Sequence, residues 1–273
     1  MSFISAIEKR WKTVDSNICV GLDPYPENFP ASIQKLQNPI FEFNKAIIDA
    51  THDLVCSYKP QFAHYAALDA LGPLKQTITY IKENYPDIPV ILDSKRGDIG
   101  STASMYAKEA FDVYNADAVT VNPYMGIDTI APFTEHKDKG VIILCRTSNP
   151  GAAELQNLTS QGKTLYETVA TLASNDWNTN NNVLLVVGAT AAAEMARIRQ
   201  ITGNMIFLVP GIGAQGGDLK AVLQAGSTPD KTGLIINSSR GILYASKGDD
   251  FAQAARSETQ KLVDACRDIY RSF

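Results

Sequence analysis

The sequence contains no apolar run of about 18 residues, which is the length that a membrane-spanning helix requires. Residues 1–15 also lack the apolar core of a secretory signal peptide, because charged residues interrupt them. Neither membrane insertion nor export is therefore indicated. We expect a cytoplasmic protein with no membrane partner.

Cysteine and histidine are scarce. The cysteines are Cys19, Cys56, Cys145 and Cys266, and the histidines are His52, His64 and His136. Neither set has the close paired spacing of a metal site, and three cysteines lie inside apolar runs. No histidine lies at the end of a predicted strand. We therefore expect reduced, buried thiols, structural histidines and no bound metal.

An excess of positive charge is absent as well. The chain has 25 lysines and arginines against 29 aspartates and glutamates, a formal net charge of −4. A protein without a basic field does not attract nucleic acid nonspecifically, so no nucleic-acid partner is expected. A few lysines and arginines can still form a local positive pocket. A small anionic substrate is therefore compatible with this composition.

What the sequence does contain is one unit that recurs along the chain: a short apolar run rich in β-branched residues, a turn signal and a longer helix-like segment. Near-continuous apolar runs such as 183–187 are typical of parallel strands covered by helices on both faces. Eight strands are predicted, at residues 18–24, 54–60, 90–95, 118–123, 141–146, 183–189, 206–211 and 233–239. The predicted helices include 41–51, 74–84, 101–114, 191–201, 217–223 and 249–270.

Eight strand-helix units without a break in composition predict an α/β fold, a single (β/α)8 TIM barrel that occupies residues 1–273 as one domain. An open doubly wound sheet remains the alternative, since the count alone does not distinguish the two. The loops that follow the strands of a barrel build its active site. The predicted strands end at polar residues that fit this rule, namely Asp23, Lys59, Asp93, Lys95 and Arg240.

The most informative stretch is 90–102, in which four charged residues follow an apolar strand within six positions. Asp93 and Lys95 are two positions apart on an extended segment, so their side chains share one face and both can point into the barrel mouth. Asp98 lies beyond the next turn. A solvated loop with an ordinary ion pair is the alternative interpretation.

Two later segments have features of a phosphate site. Barrels often bind phosphate with the loops after strands seven and eight, through backbone amides and a helix N-terminus. The glycine-rich run 210–217 lets the backbone approach an anion closely, Gln215 can donate from its side chain, and Arg240 can bind two phosphate oxygens. A tight turn is the alternative reading of the glycines. With Arg240 at the next strand end, phosphate binding is favoured.

The connection from Arg146 to Lys163 is long for a barrel loop. Long loops at this face of a barrel tend to be lids or binding elements. We therefore expect this segment to cover the substrate.

The stretch 90–102 resembles the Asp-x-Lys-x-x-Asp-Ile-x-x-Thr signature of the orotidine 5'-phosphate decarboxylases and matches it at every specified position, in the longer form seen in one bacterial branch. Further blocks resemble that family in the same order, one per expected strand end. They are VGLDP at 20–24, YKPQ at 58–61, TSNPG at 147–151, PGIG at 210–213 and SSRG at 238–241. The departure is Ser239, where many relatives carry glycine.

The resemblance implies a cofactor-free, metal-free decarboxylation of orotidine 5'-phosphate to uridine 5'-phosphate in pyrimidine biosynthesis. Lys95 would be the proton donor, and Asp93 the carboxylate set against the departing carboxylate. Lys59 and Asp98 would complete an alternating charge array, with Asp98 reaching into the neighbouring subunit of a homodimer. The implied substrate contacts are Asp23 at the ribose with Thr102 nearby, Ile99, Ser148 at the base, Pro210, Gln215 and Arg240.

The residue types suit that chemistry. Loss of carbon dioxide leaves a carbanion at ring carbon six that no ring carbonyl delocalises, so a fixed ammonium such as Lys95 must stabilise it and then protonate it. Neighbouring carboxylates keep that ammonium charged. Asp93 can also repel the substrate carboxylate, although ground-state destabilisation is a contested explanation.

Two rival functions share parts of this pattern. Sugar-phosphate enzymes with an Asp-x-Lys-x-x-Asp barrel motif, such as ketogulonate-phosphate decarboxylases, bind magnesium and typically carry a glutamate where this chain has Lys59, which would repel a metal. A catalytically inactive phosphate-binding barrel is the second rival. The intact Asp93, Lys95 and Asp98 argue against it.

Overall fold

The computed structural model describes residues 1–212 and 217–273. Within this part of the chain the main sheet has eight strands: β1 (Ile18–Leu22), β2 (Ser57–Pro60), β3 (Ile91–Arg96), β4 (Ala118–Val121), β5 (Gly140–Arg146), β6 (Val183–Val187), β7 (Phe207–Pro210) and β8 (Leu234–Ser238). They pair in the order β2-β1-β8-β7-β6-β5-β4-β3, all parallel. Parallel bridges from Tyr58 to Val90 and from Gln61 to Asp93 bring β2 to β3 and close the ring. The TIM barrel is confirmed, and the open doubly wound sheet is wrong.

Helices alternate with the strands and form the outer layer. They are α1 (Phe3–Val14), α2 (Ala31–Gln34), α3 (Pro39–Thr51), α4 (Phe62–Ala67), α5 (Leu71–Asn84), α6 (Gly100–Lys108), α7 (Ile127–Thr134), α8 (Ala152–Gln156), α9 (Leu165–Asn175), α10 (Ala192–Thr202), α11 (Leu219–Gly226), α12 (Arg240–Leu243) and α13 (Phe251–Arg271). A 3-10 turn spans Pro26–Asn28, and a π-helical turn, Glu109–Val113, continues α6. In this part of the chain, no helix is both long and apolar enough to cross a membrane.

The predicted second strand is longer than the observed one. β2 begins at Ser57, whereas the apolar run that predicted it begins at Leu54. Leu54, Val55 and Cys56 are buried, but they pack into the core from the turn before the strand. An apolar run therefore marked burial correctly and the strand boundary only approximately.

Side chains alternate along each strand, so every second residue points into the barrel. These inward-pointing residues form two layers. The lower layer is apolar: Ile91 and Ile142 pack in one buried cluster with Phe3, Ile7 and Trp11 of α1. Helix α1 thus seals the end at which the strands begin. Two positions further along their strands lie the side chains that line a cavity at the opposite end, among them Asp93, Leu144, Val186 and Asn237.

Candidate active site

A cavity of about 710 Å³ lies where the barrel strands end. The sequence-predicted residues that line it are Asp23, Lys59, Asp93, Lys95, Ser148, Pro210 and Arg240. They come from six loops or strand ends that are far apart in sequence. The structure therefore brings the predicted charged residues and the predicted anion-binding residues to one site.

Four charged side chains form an alternating row along one wall. Asp23 Oδ1 lies 3.9 Å from Lys59 Nζ. Lys59 Nζ donates to Asp93 Oδ2 at 3.0 Å, and Lys95 Nζ donates to Asp93 Oδ1 at 2.6 Å. The row runs negative, positive, negative, positive, so each charge lies next to one of opposite sign.

The Asp93 carboxylate is the centre of this row and is only 6% exposed. Besides the two ammonium groups, it accepts hydrogen bonds from Gln61 Nε2 at 3.2 Å and Thr120 Oγ1 at 2.8 Å. Burial alone would raise the pKa of Asp93, but Lys59 and Lys95 outweigh burial and hold the pKa well below its ordinary value. Asp93 is therefore a fixed negative charge at neutral pH.

Lys59 is buried and is held in its charged form. Burial alone would lower the pKa of its ammonium, but the charges of Asp93 and Asp23 raise the pKa above the ordinary value. A lysine that cannot release its proton is a poor general base. Lys59 is suited instead to orienting Asp93 and Asp23.

Lys95 reaches the cavity through an irregular backbone. Its φ is +48°, in the left-handed region that residues other than glycine rarely adopt. The register between β3 and β4 shifts between Leu92 and Arg96, and the Lys95 backbone amide donates to Thr120 Oγ1 at 2.9 Å instead of to a strand carbonyl. The predicted meeting of Asp93 and Lys95 occurs, but the reasoning from a regular extended segment was wrong.

The Lys95 side chain is 44% exposed, and its ammonium faces the cavity with one carboxylate beside it. Strain at a single left-handed residue persists only where the surrounding structure imposes it. Here Thr120 and Asp93 supply that constraint. A poised, partly open ammonium next to a fixed carboxylate can stabilise negative charge on a bound molecule and transfer a proton to it.

The part of the cavity wall after β7 and β8 has the features of an anion site. Gly211 has a φ of +103°, which favours glycine, and Arg240 is the first residue of α12. Among the described residues no ion pair involves Arg240, so its guanidinium is available to an anion. The N-terminus of α11 is already capped by the Asp218 side chain, which accepts from Ala221 N. Gln215 lies outside the described residues.

The long loop after β5 contributes to the cavity as expected. The Gln156 amide holds Thr147 at two points, because Oε1 accepts from Thr147 N at 2.9 Å and Nε2 donates to Thr147 Oγ1 at 2.8 Å. The next residue, Ser148, sits against Gly188, where an added Cβ would lie 2.7 Å from both Ser148 Cβ and Ser148 N. The position of Ser148 is thus fixed by an amide clamp on one side and a glycine on the other.

Three predicted site residues do not line the cavity in the described part of the chain. Ile99 is 51% exposed and Thr102 is exposed on α6. Asp98 Oδ1 accepts from the backbone amide of Ile99 at 2.8 Å, and the described part of the cavity wall does not include Asp98. The structure therefore separates these three from Lys95 and Asp93 within one chain.

Other residues line the cavity although sequence reasoning assigned them no role; they include Tyr25, Gln61, His64, Thr120, Gln156 and Asn237. His64, which we expected to be structural, also lines the cavity, because the short helix α4 that follows β2 carries it there. Gln61 could have been found from its position two residues after Lys59. Thr120 lies inside an apolar strand, where no sequence signal marks it.

The cysteines behave as predicted, since all four are free and buried. Cys145 Sγ donates to the Tyr166 carbonyl at 3.3 Å, and burial raises the pKa of its thiol. A thiol in this state is not an activated nucleophile. Within the described residues, no three histidine, cysteine, aspartate or glutamate side chains gather as a metal-binding group.

Comparisons with known proteins show which proteins this chain is similar to. Residues 16–257 match the family model described as "Orotidine 5'-phosphate decarboxylase / HUMPS family". Orotidine 5'-phosphate decarboxylase of Cellvibrio japonicus is 60% identical over 259 residues, which cover 94% of this chain and 95% of that protein. The solved structure of Leishmania donovani OMP decarboxylase matches with a TM-score of 0.85 and 38% identity over 98% of each chain. That of Leishmania donovani UMP synthase matches with a TM-score of 0.88 and 41% identity, over 98% of this chain and 56% of its own.

Replacing Gly188 by alanine is expected to displace Ser148, because the new methyl group would lie only 2.7 Å from the backbone nitrogen and the Cβ of Ser148. Overpacking of this kind costs about 1–3 kcal/mol of stability. We expect a lower melting temperature and faster hydrogen exchange of residues 147–156. Gly72→Ala is the matched control, since nothing lies within 4 Å of a Cβ at that position. Equal melting and exchange in both variants would contradict the contact.

Asp93→Asn is expected to destabilise the protein by about 3–5 kcal/mol at neutral pH, because it leaves Lys59 with a weaker partner in a buried site. A carboxyl group whose pKa is lower in the folded than in the unfolded chain contributes stability above its unfolded pKa of about 3.9 and loses it as the pH falls toward the folded value. The stability difference between wild type and variant should therefore shrink below about pH 4. Thermal melts from pH 7 to pH 3 measure it, and a difference that stays constant with pH would refute the ion pairing.

Proposed function

We infer the function from the premise that this chain belongs to the orotidine 5'-phosphate decarboxylase / HUMPS family. It is a carboxy-lyase that converts orotidine 5'-phosphate to uridine 5'-phosphate in pyrimidine biosynthesis. The observation that carries the mechanism is the alternating row of Asp23, Lys59, Asp93 and Lys95, which lines the same cavity as Arg240. We propose that residues 1–273 form one catalytic domain and that the reaction takes place in the cytoplasm.

The substrate spans the cavity with its phosphate at one end and its ring carboxylate at the other. The phosphate binds Arg240 and the segment that includes Pro210 and Gln215, because a guanidinium and backbone amides suit a dianion. The ribose hydroxyls meet Asp23, and Ser148 contacts the base under the long loop. This orientation places ring carbon six next to Lys95.

The chemical step breaks the bond between ring carbon six and the carboxylate carbon. The electron pair stays on carbon six, carbon dioxide leaves, and the Lys95 ammonium transfers a proton to the carbanion. Its positive charge stabilises the developing negative charge, and a preorganised charge of this kind needs no rearrangement during the reaction. Lys95 then regains a proton from solvent.

Asp93 serves the reaction mainly by holding Lys95 in place. Its four hydrogen-bond donors fix the carboxylate, so the Lys95 ammonium that contacts it at 2.6 Å is fixed as well. Phosphate binding at Arg240 supplies binding energy that brings the substrate carboxylate close to this fixed negative charge. Repulsion between the two carboxylates is relieved as carbon dioxide departs.

We propose that the reaction needs no metal or other cofactor. The carboxylates of Asp23 and Asp93 are already paired with ammonium groups, and Lys59 would repel a divalent cation between them. This arrangement differs from a site in which acidic residues hold magnesium. It fits a mechanism that relies on fixed protein charges.

A homodimer would bring Asp98, Ile99 and Thr102 to the partner's site. Large apolar side chains are exposed on the neighbouring segments, including Met105 on α6 at 62% and Tyr124 after β4 at 78% exposure. Asp98, which precedes α6, is tied to α7 by Thr129 Oγ1, which donates to its carbonyl at 2.5 Å. Exposed apolar patches of this kind mark protein interfaces. Asp98 would then give Lys95 of the neighbouring subunit a second carboxylate.

Purified, chelator-treated protein is expected to consume orotidine 5'-phosphate, measured as loss of its ultraviolet absorbance. Lys95→Ala should lower kcat by about a thousandfold or more, since it removes both the proton donor and the stabilising charge. Binding of uridine 5'-phosphate should persist. Lys261→Ala, which removes an exposed lysine of α13, is the control and should retain full activity. Activity that depends on added magnesium would contradict this mechanism.

Mixing two inactive variants tests the shared site. A dimer of one Lys95→Ala protomer and one Asp98→Ala protomer has one intact site if Asp98 acts across the interface, so a re-equilibrated equal mixture should recover about a quarter of wild-type activity. If Asp98 acted within its own protomer, every site in the mixed dimer would lack one group and no activity would return. Each variant incubated alone is the control.

A further inference from the structure

We propose that Tyr244 is a positioning residue that couples the phosphate end of the cavity to the ribose end. The inference rests on the function proposed above and adds a residue that the cavity wall itself does not contain. Tyr244 directly follows α12, the short helix that begins with Arg240. Its side chain reaches back to the loop after β1, which carries Asp23.

The Tyr244 hydroxyl makes two hydrogen bonds to that loop. It donates to the Asp23 carbonyl at 2.8 Å and accepts from the Tyr25 backbone amide at 2.7 Å. The two backbone groups flank Pro24, so one hydroxyl fixes the chain on both sides of that residue. The orientation of the Asp23 side chain follows from the orientation of this segment.

Asp23 is a residue whose position matters. Its Oδ1 is buried and has no hydrogen-bond partner among the described residues, and Lys59 Nζ lies 3.9 Å away. A buried carboxylate oxygen without a donor is costly, and a hydroxyl group of a bound ribose would satisfy it. A small shift of the Asp23 backbone would move this oxygen out of reach of that hydroxyl.

The tyrosine is itself held firmly enough to transmit position. Its ring stacks on Phe43, with centroids 5.9 Å apart and planes 18° apart, and meets the edge of Tyr25 at 6.2 Å. Tyr25 in turn packs edge-on against His64 at 4.9 Å, and both line the cavity. Burial raises the pKa of the Tyr244 hydroxyl, so the proton that it donates to Asp23 stays in place at neutral pH.

A continuous set of contacts therefore leads from Arg240 through α12 and Tyr244 to Asp23. Phosphate binding at Arg240 would hold α12, and through the Tyr244 hydroxyl it would hold the ribose-binding carboxylate in its productive position. Misplacement of a binding group by about 1 Å can cost a hundredfold in rate. Tyr244 acts through Asp23 and does not touch the substrate.

Tyr244→Phe tests this role because it removes the hydroxyl and keeps the stacked ring. We expect kcat/KM for orotidine 5'-phosphate to fall about tenfold or more in the wild-type background. In an Asp23→Ala background, the same substitution should change kcat/KM by less than about twofold, since coupled residues are not additive. Tyr270→Phe is the matched control: it removes another partly buried hydroxyl, bonded to Ser227 at 3.0 Å, and should leave kcat/KM unchanged.

An equal loss in both backgrounds, or no loss in either, would overturn the inference, because a general structural defect does not depend on Asp23. The wild type, the two single variants Tyr244→Phe and Asp23→Ala, and the double variant are also compared in their affinity for uridine 5'-phosphate, which carries both the ribose and the phosphate. If the wild type bound this nucleotide without decarboxylating its substrate, the proposed function would fail, and the affinity cycle would still decide the role of Tyr244. Circular dichroism spectra of all variants are compared with that of the wild type as the control for folding.

Discussion

The carboxylate of Asp93, buried between two ammonium groups, is the interaction on which the rest of the site depends. A buried charge is tolerated only when it is paired and its hydrogen bonds are made. The donors to Asp93 come from three neighbouring strands or their ends: Lys59 and Gln61 from β2, Lys95 from β3, and Thr120 from β4. The bridge between Gln61 and Asp93 that helps to close the barrel also belongs to this cluster. Ring closure and charge arrangement are thus one geometric requirement.

The rest of the barrel supports that arrangement by separating apolar from polar layers. Helix α1 fills one end with Phe3, Ile7 and Trp11, so the lower interior is packed and dry. The layer two positions further along the same strands is mixed, with Leu144 and Val186 beside Asp93 and Asn237, and it places charged groups on rigid elements above an apolar floor. Such a floor lowers the local dielectric and strengthens every interaction between fixed charges and a bound molecule. The loops add what the strands do not supply, namely the clamp on Thr147 and the cavity wall near Arg240.

Much of this could be predicted from the sequence, because strand periodicity and charged residues at strand ends are local signals. All eight predicted strands were found, and seven predicted site residues line one cavity. What could not be predicted depends on contacts between distant segments. Thr120 is hidden in an apolar strand, and Tyr244 is 221 residues from the carbonyl that it contacts. His64 was expected to be structural, and the turn of α4 that brings it to the cavity leaves no periodic pattern. The left-handed backbone at Lys95 was also missed, since lysine gives no signal for it.

That backbone has a consequence for any attempt to make this barrel more robust. A lysine at a φ of +48° is a residue that glycine or asparagine would replace with less strain. Selection for thermal resistance alone would favour such a replacement and, with it, the loss of the ammonium that we propose as proton donor. Mutant libraries selected by stability scores should therefore keep lysine at position 95, because the residue with the more strained backbone is the one that the proposed function needs.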